Sequence, residues 1–431
     1  MSEASPPAAR VTASRRPTAL GAVGHLLLEI TNNFLPVTYP LLIPLMGLSF
    51  TQVGLIALVH SFCGTLPQPW LGALAQRWGP QRIIIISLAW SGLFMGLIGL
   101  TGSYWLALVC AGLGGFGGGA FHPAGAMSVA RIAAEPSGRQ RRGAAMSLFS
   151  VGGNLGSALS PALMAVALGL FGLPGTGAAV VVGLGSALLV WRLLAPRALA
   201  SGGDADTDGA LPGSASSPSP ARPRTERRVY PVLPLALIVV FAMSRSWFQL
   251  SITSFLPTWT AESLGSTAWP LVLFMGSVGA GSLSGGRLSD RIGRTRTLLG
   301  AALLTIPAHL TFIHGLPSVQ LAAVAVLGAA LGATLPVAIV MAQERRPHAT
   351  GVAAGLVIGL GGLPAGIGAS VTGLLADAFS LDAALQWTVL ALVVGTLAVI
   401  ALAYLERDRG RPAPLRTPRE TPQATPAAPP R

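Results

Sequence analysis

Long apolar runs recur along almost the whole of this 431-residue chain. Each run has about 20 residues or more, and at 1.5 Å of rise per residue that length crosses a hydrocarbon core of roughly 30 Å. Backbone groups in lipid have no water to bind, so each run is predicted to be a helix that pairs them internally. Twelve runs are present, at about 20–47, 52–75, 81–101, 104–130, 143–171, 174–196, 231–261, 267–288, 295–314, 318–342, 350–378 and 383–405.

The arginines predict how these helices are oriented. All 28 basic residues are arginine, and 27 of them lie in the tails or beside the gaps that follow the second, fourth, sixth, eighth and tenth runs. The intervening gaps contain none. Because cytoplasmic loops carry an excess of positive charge, both termini are predicted to be cytoplasmic, which requires an even number of spans. The net charge of +13 is therefore interpreted as a topology signal, and nucleic acid is not an expected partner.

A polar segment at 197–230 divides the runs into two groups of six. It is rich in Ser, Gly, Pro and Asp and ends in an arginine cluster, a composition typical of a disordered connection. The predicted organisation is a cytoplasmic tail at 1–19, a six-helix bundle at 20–196, this cytoplasmic linker, a second six-helix bundle at 231–406 and a disordered cytoplasmic tail at 407–431.

A short glycine- and arginine-rich segment closes the second run of each half. The second copy contains Gly286, Leu288, Asp290, Arg291, Gly293, Arg294 and Arg296, and the first contains Gly72, Leu74, Gln76, Arg77, Gly79 and Arg82. The second copy resembles the loop signature G-x-L-x-D-R-x-G-R-x-R of the major facilitator superfamily at every prescribed position. This resemblance implies an all-α membrane protein with twelve transmembrane helices in two pseudo-symmetric six-helix bundles, in which both segments are gating loops. The acid of the loop latches a neighbouring helix end in the family, so Gln76 is expected to weaken the first latch.

Further stretches resemble one narrower family, the bacterial fosmidomycin resistance proteins. They are Gly24 to Glu29, Tyr39 with Pro40, Phe121 to Pro123, Gly152 to Ser157 and Ala342 to Glu344. The resemblance implies a proton-driven drug exporter, a monomer in the bacterial cytoplasmic membrane, whose substrates are small anionic compounds such as fosmidomycin. Its expected partners are the small-molecule substrate, protons and the lipid bilayer, and no cofactor is expected. Glu29 stands where the family is expected to have Asp.

Ionisable side chains inside a span are functional candidates, because each costs roughly 2.5–3.5 kcal/mol on insertion scales. In the first run, His25, Glu29 and Asn32 lie at intervals of four and three, which places them on one helical face. Glu29 is predicted to carry the coupling proton, with His25 beside it. A fixed structural ion pair between Glu29 and Arg245 is the alternative, although desolvation makes such buried pairs poor stabilisers.

Arg245 lies about halfway along the seventh run, with Gln249 one turn further on and Trp247 between them. A guanidinium offers a planar fork of donors suited to phosphonate or carboxylate, so Arg245 is predicted to bind the anionic group of a substrate. The polar faces of the first and seventh helices are expected to meet across a central cavity. The predicted substrate site is completed by Asn32, Asn33, His60 and His122. For the histidines a hydrogen bond to a neighbouring helix is the alternative, and a proton-relay role is open to His122.

The motifs of other functional classes are missing from the sequence. Its gaps contain no Gly-x-Ser-x-Gly turn, nucleotide-binding P-loop or carboxylate pair, so an enzyme is not expected. No two histidines have the spacing of a zinc-protease motif, so a metal is not expected either. Two other functions stay open on the same fold, namely an importer of an organic acid or sugar and a membrane sensor that does not transport.

Overall fold

The computed structural model describes residues 15–132, 139–200, 232–265, 268–346 and 349–409, and within these ranges every regular element is helical. Most of the predicted linker and most of both predicted tails lie outside the described residues. The sixth helical unit continues to Ala200, four residues beyond the predicted boundary at 196.

The described N-terminal half folds into six helical units, two of which are broken. They are α1 (Arg15–Asn32) with α2 (Leu35–Met46), α3 (Phe50–Thr65) with α4 (Gln68–Trp78), α5 (Pro80–Leu97), α6 (Tyr104–Ile132), α7 (Arg139–Phe171) and α8 (Ala178–Ala200). Proline accounts for both breaks, because its nitrogen cannot donate to the preceding turn. Pro36 stands at the start of α2, and Pro67 immediately precedes α4, which is bent by 43° from α3.

The described C-terminal half repeats this arrangement. Its helices are α9 (Val232–Leu264), α10 (Trp269–Ile292), α11 (Arg294–His314), α12 (Pro317–Arg345), α13 (Thr350–Gly355), α14 (Pro364–Ala378), α15 (Leu381–Trp387) and α16 (Val389–Arg409). A π-helical turn at Leu356–Leu360 joins α13 to α14, so these two form one unit, as do α15 and α16. The repeated loops share a backbone conformation as well as a sequence. Gly79 and Gly293 have φ of +88° and +93°, a region that glycine adopts without steric cost.

The number of membrane spans is close to the predicted twelve. Among the described residues, ten helices or helix pairs are long and apolar enough to cross a membrane, and α3 with α4 makes eleven if counted as one bent span. A count of twelve depends on α10, which has 24 residues but is rich in Gly and Ser and ends in charged residues. The chain is therefore a multi-pass helical membrane protein.

The two bundles meet mainly through α2 with α9, α3 with α14 and α7 with α10, and α9 also touches α3. At one end of the molecule their apolar core is continuous, because Phe34 and Tyr39 of the first bundle belong to the same cluster as Phe255 and Phe274 of the second. We call this the closed end.

The opposite end carries the arginines of the repeated loops, and we call it the arginine end. Here each bundle has a core of its own, one containing Phe121 and Phe149 and the other containing Phe241 and Val337. The described bundles are thus joined at the closed end and packed separately towards the arginine end.

Candidate functional site

The first span breaks beside its acidic residue. α1 ends at Asn32 and α2 begins at Leu35, because Pro36 lacks the N–H that would bind the carbonyl of Asn32. The Asn33 side chain at the break turns back to donate a hydrogen bond to the Glu29 carboxylate. Many membrane transporters place polar sites at interrupted helices near mid-membrane. Here the break brings the polar side chain of Asn33 to the Glu29 carboxylate.

Glu29 lies inside the N-terminal bundle, surrounded by polar groups from three helices. Its Oε1 is 3.2 Å from Nε2 of His25 and 3.6 Å from Nε2 of His122. Its Oε2 accepts hydrogen bonds from Asn33 Nδ2 and, at 3.3 Å, from Ser157 Oγ. The side chain of Glu29 is 14% exposed and that of His122 is 40% exposed, so His122 is the solvent side of the cluster.

The contact between His25 and Glu29 requires a cation. Nδ1 of His25 is 2.8 Å from the carbonyl oxygen of Phe149, and because a carbonyl only accepts, Nδ1 carries the hydrogen of this bond. In a neutral imidazole Nε2 then has a lone pair, and that lone pair faces the carboxylate oxygen at 3.2 Å. Two acceptors are stable at this distance only with a proton or another cation between them.

Glycines on α7 make room for the cluster. A Cβ on Gly153 would collide with the ring of His25, and a Cβ on Gly156 would lie 2.8 Å from the Cβ of Glu29. Because glycine has no side chain at these positions, α7 lies against α1 closely enough for Ser157 to reach the carboxylate.

A second polar pair lies beside the first. His60 Nε2 on α3 is 3.3 Å from Asn32 Oδ1 on α1. Asn32 is 7% exposed, and a Cβ on Gly118 of α6 would be 2.7 Å from its Nδ2. The structure therefore brings together, within the N-terminal bundle, six of the predicted residues, which are His25, Glu29, Asn32, Asn33, His60 and His122.

Arg245 does not face this cluster, and its predicted position is corrected. Its Nε donates to the Leu331 carbonyl at 3.2 Å and to Thr334 Oγ1 at 3.0 Å, both on α12, and the residue is 7% exposed. It borders a void of about 10 Å³, the size of one water, between α9, α11, α12 and α16. Its terminal nitrogens have no hydrogen-bond or ion-pair partner in the described part of the chain. The helical phase of α9 directs Arg245 into its own bundle, and no ion pair between Arg245 and Glu29 is formed among the described residues.

The other two predicted residues of α9 also lie away from Glu29. Trp247 packs against Gly368 of α14 and lines an apolar cavity of about 460 Å³ together with Met243 and Trp387. Gln249 is partly buried, and its side chain has no hydrogen bond to a described residue. The predicted substrate site is therefore split between the two bundles.

The loop of the C-terminal half is latched by its arginine and not by its acid. Nη2 of Arg294 is 2.8 Å from Oε1 of Glu344 at the end of α12. Asp290 and Arg291 are exposed, and neither has an ion pair with a described residue. The ion pair of this loop is thus made by Arg294, and the expected latch through Asp290 is not seen as an ion pair among the described residues. In the first half, a Cβ placed on Gly72 would lie 3.5 Å from the Cβ of Pro123. The first-loop residues Arg77 and Gly79 lie where α4 ends and the chain turns into α5.

At the closed end Asp377 of α14 joins the two bundles. Its Oδ1 and Oδ2 each accept a hydrogen bond of 2.8 Å, from the backbone N–H of Phe50 and Thr51. These amides open α3 and have no partner within their own helix, and a helix N-terminus attracts negative charge. The approach depends on small residues, since a Cβ on Gly54 would lie 2.7 Å from a carbonyl oxygen of α14.

Sequence reasoning did not single out two contributors to the Glu29 cluster. Ser157 directly follows the glycines that bring α7 against α1, and that position was the available signal. Phe149 acts through its backbone carbonyl, so no side-chain pattern identifies it. The spacing of His25, Glu29 and His122 also resembles no metal motif, yet their donor atoms all lie within 4.8 Å of one another.

Comparison with known sequences agrees with this architecture. The chain matches the family model described as Major Facilitator Superfamily over residues 21–282 and 253–429. It is 29% identical over 393 residues to the fosmidomycin resistance protein of Escherichia coli (strain K12), an alignment that covers 89% of this chain and 93% of that protein. It is also 29% identical over 385 residues to the uncharacterised MFS-type transporter YfnC of Bacillus subtilis (strain 168), covering 87% and 90% of the two chains.

Solved structures share the fold. A bacterial homologue of the human lysosomal transporter Spinster, in an inward-facing and occupied conformation, superposes with a TM-score of 0.72 at 16% identity, covering 95% of this chain and 100% of that one. The nucleoside transporter NupG gives a TM-score of 0.67 at 14% identity, covering 90% and 99%. With both halves matched by the family model and the paired bundles seen in the structure, the chain belongs to the major facilitator superfamily and is a membrane transporter, not an enzyme.

Proposed function

We propose that this transporter is a proton-coupled exporter of small anionic compounds such as fosmidomycin, working as a monomer in the bacterial cytoplasmic membrane with both termini in the cytoplasm. The observation that carries the coupling is the contact between Glu29 and His25. A carbonyl holds Nδ1 of His25, so Nε2 and the carboxylate share one exchangeable proton at 3.2 Å. Loaded and unloaded sites differ by a full charge inside a poorly polarisable bundle, which gives the two conformations of a transport cycle different energies.

The proposed substrate site lies next to the proton site. His122 is the exposed member of the cluster, and the His60–Asn32 pair lies on the neighbouring helices. Imidazole and amide N–H groups donate hydrogen bonds to phosphonate or carboxylate oxygens. A substrate seated against His122 covers the side from which solvent reaches Glu29, so proton and substrate occupy the region in turn, as exchange requires.

The substrate class is supported by the relative from Escherichia coli, which is named for fosmidomycin resistance. A drug-sensitive bacterium lacking its own exporters and expressing this chain should tolerate more fosmidomycin than the same strain with an empty vector. Glu29→Gln should return sensitivity to the empty-vector level, whereas Glu262→Gln, an exposed glutamate on α9, should not. Both variants must be present in the membrane in equal amounts. Resistance that survives Glu29→Gln would contradict the proposal.

The direction of transport separates an exporter from an importer of organic acids or sugars. In inside-out vesicles with an acidified lumen, a proton-coupled exporter accumulates labelled fosmidomycin, and a protonophore abolishes the accumulation. A proton-driven importer on the same fold would instead lose substrate from the lumen under these conditions.

A further inference from the structure

We infer that His25, Glu29 and His122 form a binding site for one first-row divalent metal ion with the ligand preferences of Zn²⁺. Two imidazoles and one carboxylate are a ligand set that zinc uses when three protein atoms bind it and a fourth position stays open. The ligand atoms are Nε2 of both histidines and Oε1 of Glu29.

The two distances from Oε1 to the histidine nitrogens fit a tetrahedral ion. Bonds of about 2.0–2.2 Å at tetrahedral angles separate neighbouring ligand atoms by roughly 3.4 Å. The observed separations from Oε1 are 3.2 Å to His25 and 3.6 Å to His122, and all three donors lie within 4.8 Å. His122 is the most exposed of the three, so rotation of its side chain closes the remaining separation at the smallest cost in packing.

The surroundings of the ligands are those of an oriented metal site. A metal-binding histidine usually donates its other ring N–H to a carbonyl or carboxylate, which fixes the ring and directs the free nitrogen at the ion. His25 makes this bond to the Phe149 carbonyl at 2.8 Å, and the rings of Phe121 and Phe149 stack on it. Glu29 Oε2 is held by two side-chain donors, which leaves Oε1 for the ion.

Charge and access agree with this assignment. The carboxylate is mostly enclosed, and no arginine pairs with it among the described residues. A metal ion that binds here therefore comes from solution and takes the place of the proton that these two acceptors otherwise share. The 40% exposure of His122 provides an entry path and an open fourth position for water. Imidazole ligands favour Zn²⁺ and Co²⁺ over Mg²⁺, which prefers oxygen ligands and keeps its water.

Cobalt absorbance tests the site directly. The purified full-length protein, carrying an affinity tag without histidines, is titrated with Co²⁺, which gives intense d–d absorption when four-coordinate. We expect saturation at one ion per chain, displacement by Zn²⁺ and no displacement by Mg²⁺. Glu29→Gln and His122→Ala should each weaken Co²⁺ binding by at least about tenfold, since even an outer-shell change has that effect. His314→Ala, which changes an exposed histidine outside the cluster, should bind as the wild type does.

Two results would overturn the inference. One is the lack of saturable four-coordinate absorption in the wild type, and the other is unchanged binding in both ligand variants. His122→Ala removes a partly exposed side chain, so it tests the site even if Glu29→Gln does not fold. Because binding is measured without transport, its failure and a failure of proton coupling are distinguishable.

Discussion

At Glu29 the two carboxylate oxygens have different surroundings. Asn33 and Ser157 donate to Oε2, while Oε1 faces His25 and His122. A carboxylate taken out of water loses several kcal/mol of solvation, so each donor that replaces water matters. The arrangement leaves Oε2 fixed by two donors and Oε1 facing the two histidines, and Oε1 is therefore the atom at which the proposed exchange takes place.

Ser157 and Ser160 offer a matched test of this division. Both donate from α7 to α1, but Ser157 binds the Glu29 carboxylate and Ser160 binds the Ile30 carbonyl at 2.7 Å. Losing a hydrogen bond to a charged group costs about 1.5–3 kcal/mol, so Ser157→Ala should slow proton-driven transport about tenfold or more. Ser160→Ala should lower the melting temperature without that effect on coupling. Equal transport by the two variants, measured in proteoliposomes, would contradict the assigned role of Oε2.

The position of Arg245 in the sequence suggests that transport of anionic substrates depends on it, whereas its contacts within its own bundle lead us to expect the opposite. It is a buried cation without an acid partner among the described residues, and the Leu331 carbonyl it binds also accepts from Thr334. Replacing a buried charge by an apolar side chain of similar length is often neutral or stabilising. Arg245→Met should keep the melting temperature or raise it, and should transport anionic and neutral substrates within about twofold of their wild-type ratio. Selective loss of transport of the anionic substrate would contradict this expectation and support the predicted contact between Arg245 and the substrate.

The residues of α1 were predictable because helical periodicity identifies which side chains share a face. The direction of Arg245 was not predictable in the same way. In a membrane helix the lipid side and the bundle side are both apolar, so periodicity does not say which neighbour a polar group meets. That depends on packing against α12, which lies about 86 residues away in sequence.

At the scale of the helices, the α1–α7 contact sets the geometry of the site. Gly153 lies against the ring of His25, whereas Gly169 on the same helix has no atom within 4 Å of the position a Cβ would take. Gly153→Ala should displace His25 from Glu29, cost about 1–3 kcal/mol through overpacking and reduce efflux towards the Glu29→Gln level. Gly169→Ala should change neither stability nor efflux appreciably. Drug-resistance assays with matched expression compare the two, and full activity of Gly153→Ala would count against the packing argument.

Most helices were predictable because a lipid-crossing segment needs length and apolar composition and little else. The positions at which these helices break were less predictable. Pro36 interrupts the first span and Pro67 bends the second, yet Pro123 and Pro161 lie inside continuous helices. A proline leaves a backbone carbonyl of the preceding turn without its partner, and the neighbouring helices decide whether that carbonyl finds another one. Which helices are neighbours depends on tertiary packing, which the local sequence does not contain.

For the whole molecule, the contact of α3 with α14 holds the closed end together. Asp377 caps the first turn of α3 in the other bundle, whereas Asp382 at the same end binds Trp259 within its own bundle. Asp377→Ala should shift the population towards a state open at this end, and Asp382→Ala should not.

Spin labels at Leu45 and Leu316 report this change by electron-electron distance measurement, because these exposed residues lie at the closed end in different bundles. Cys63 and Cys110 are first replaced by Ser. Identical distance distributions for the wild type and Asp377→Ala would contradict the latch.

The two-bundle architecture was predictable from the duplicated loop, since a repeat implies a second copy of the same unit. Which end is closed was not predictable. Both conformations of an alternating transporter use the same helices and bury similar apolar surface, so the difference lies in a few contacts such as Asp377 with α3.

The central claim is that Glu29 carries the proton exchanged for substrate. Proteoliposomes containing the purified transporter and a pH-sensitive dye in the lumen test it most directly, when a fosmidomycin gradient is imposed without a pH gradient. The wild type should move protons against the direction of substrate flow. Glu29→Gln should move none while still exchanging labelled for unlabelled substrate. Substrate-driven proton movement that persists in Glu29→Gln would contradict the account.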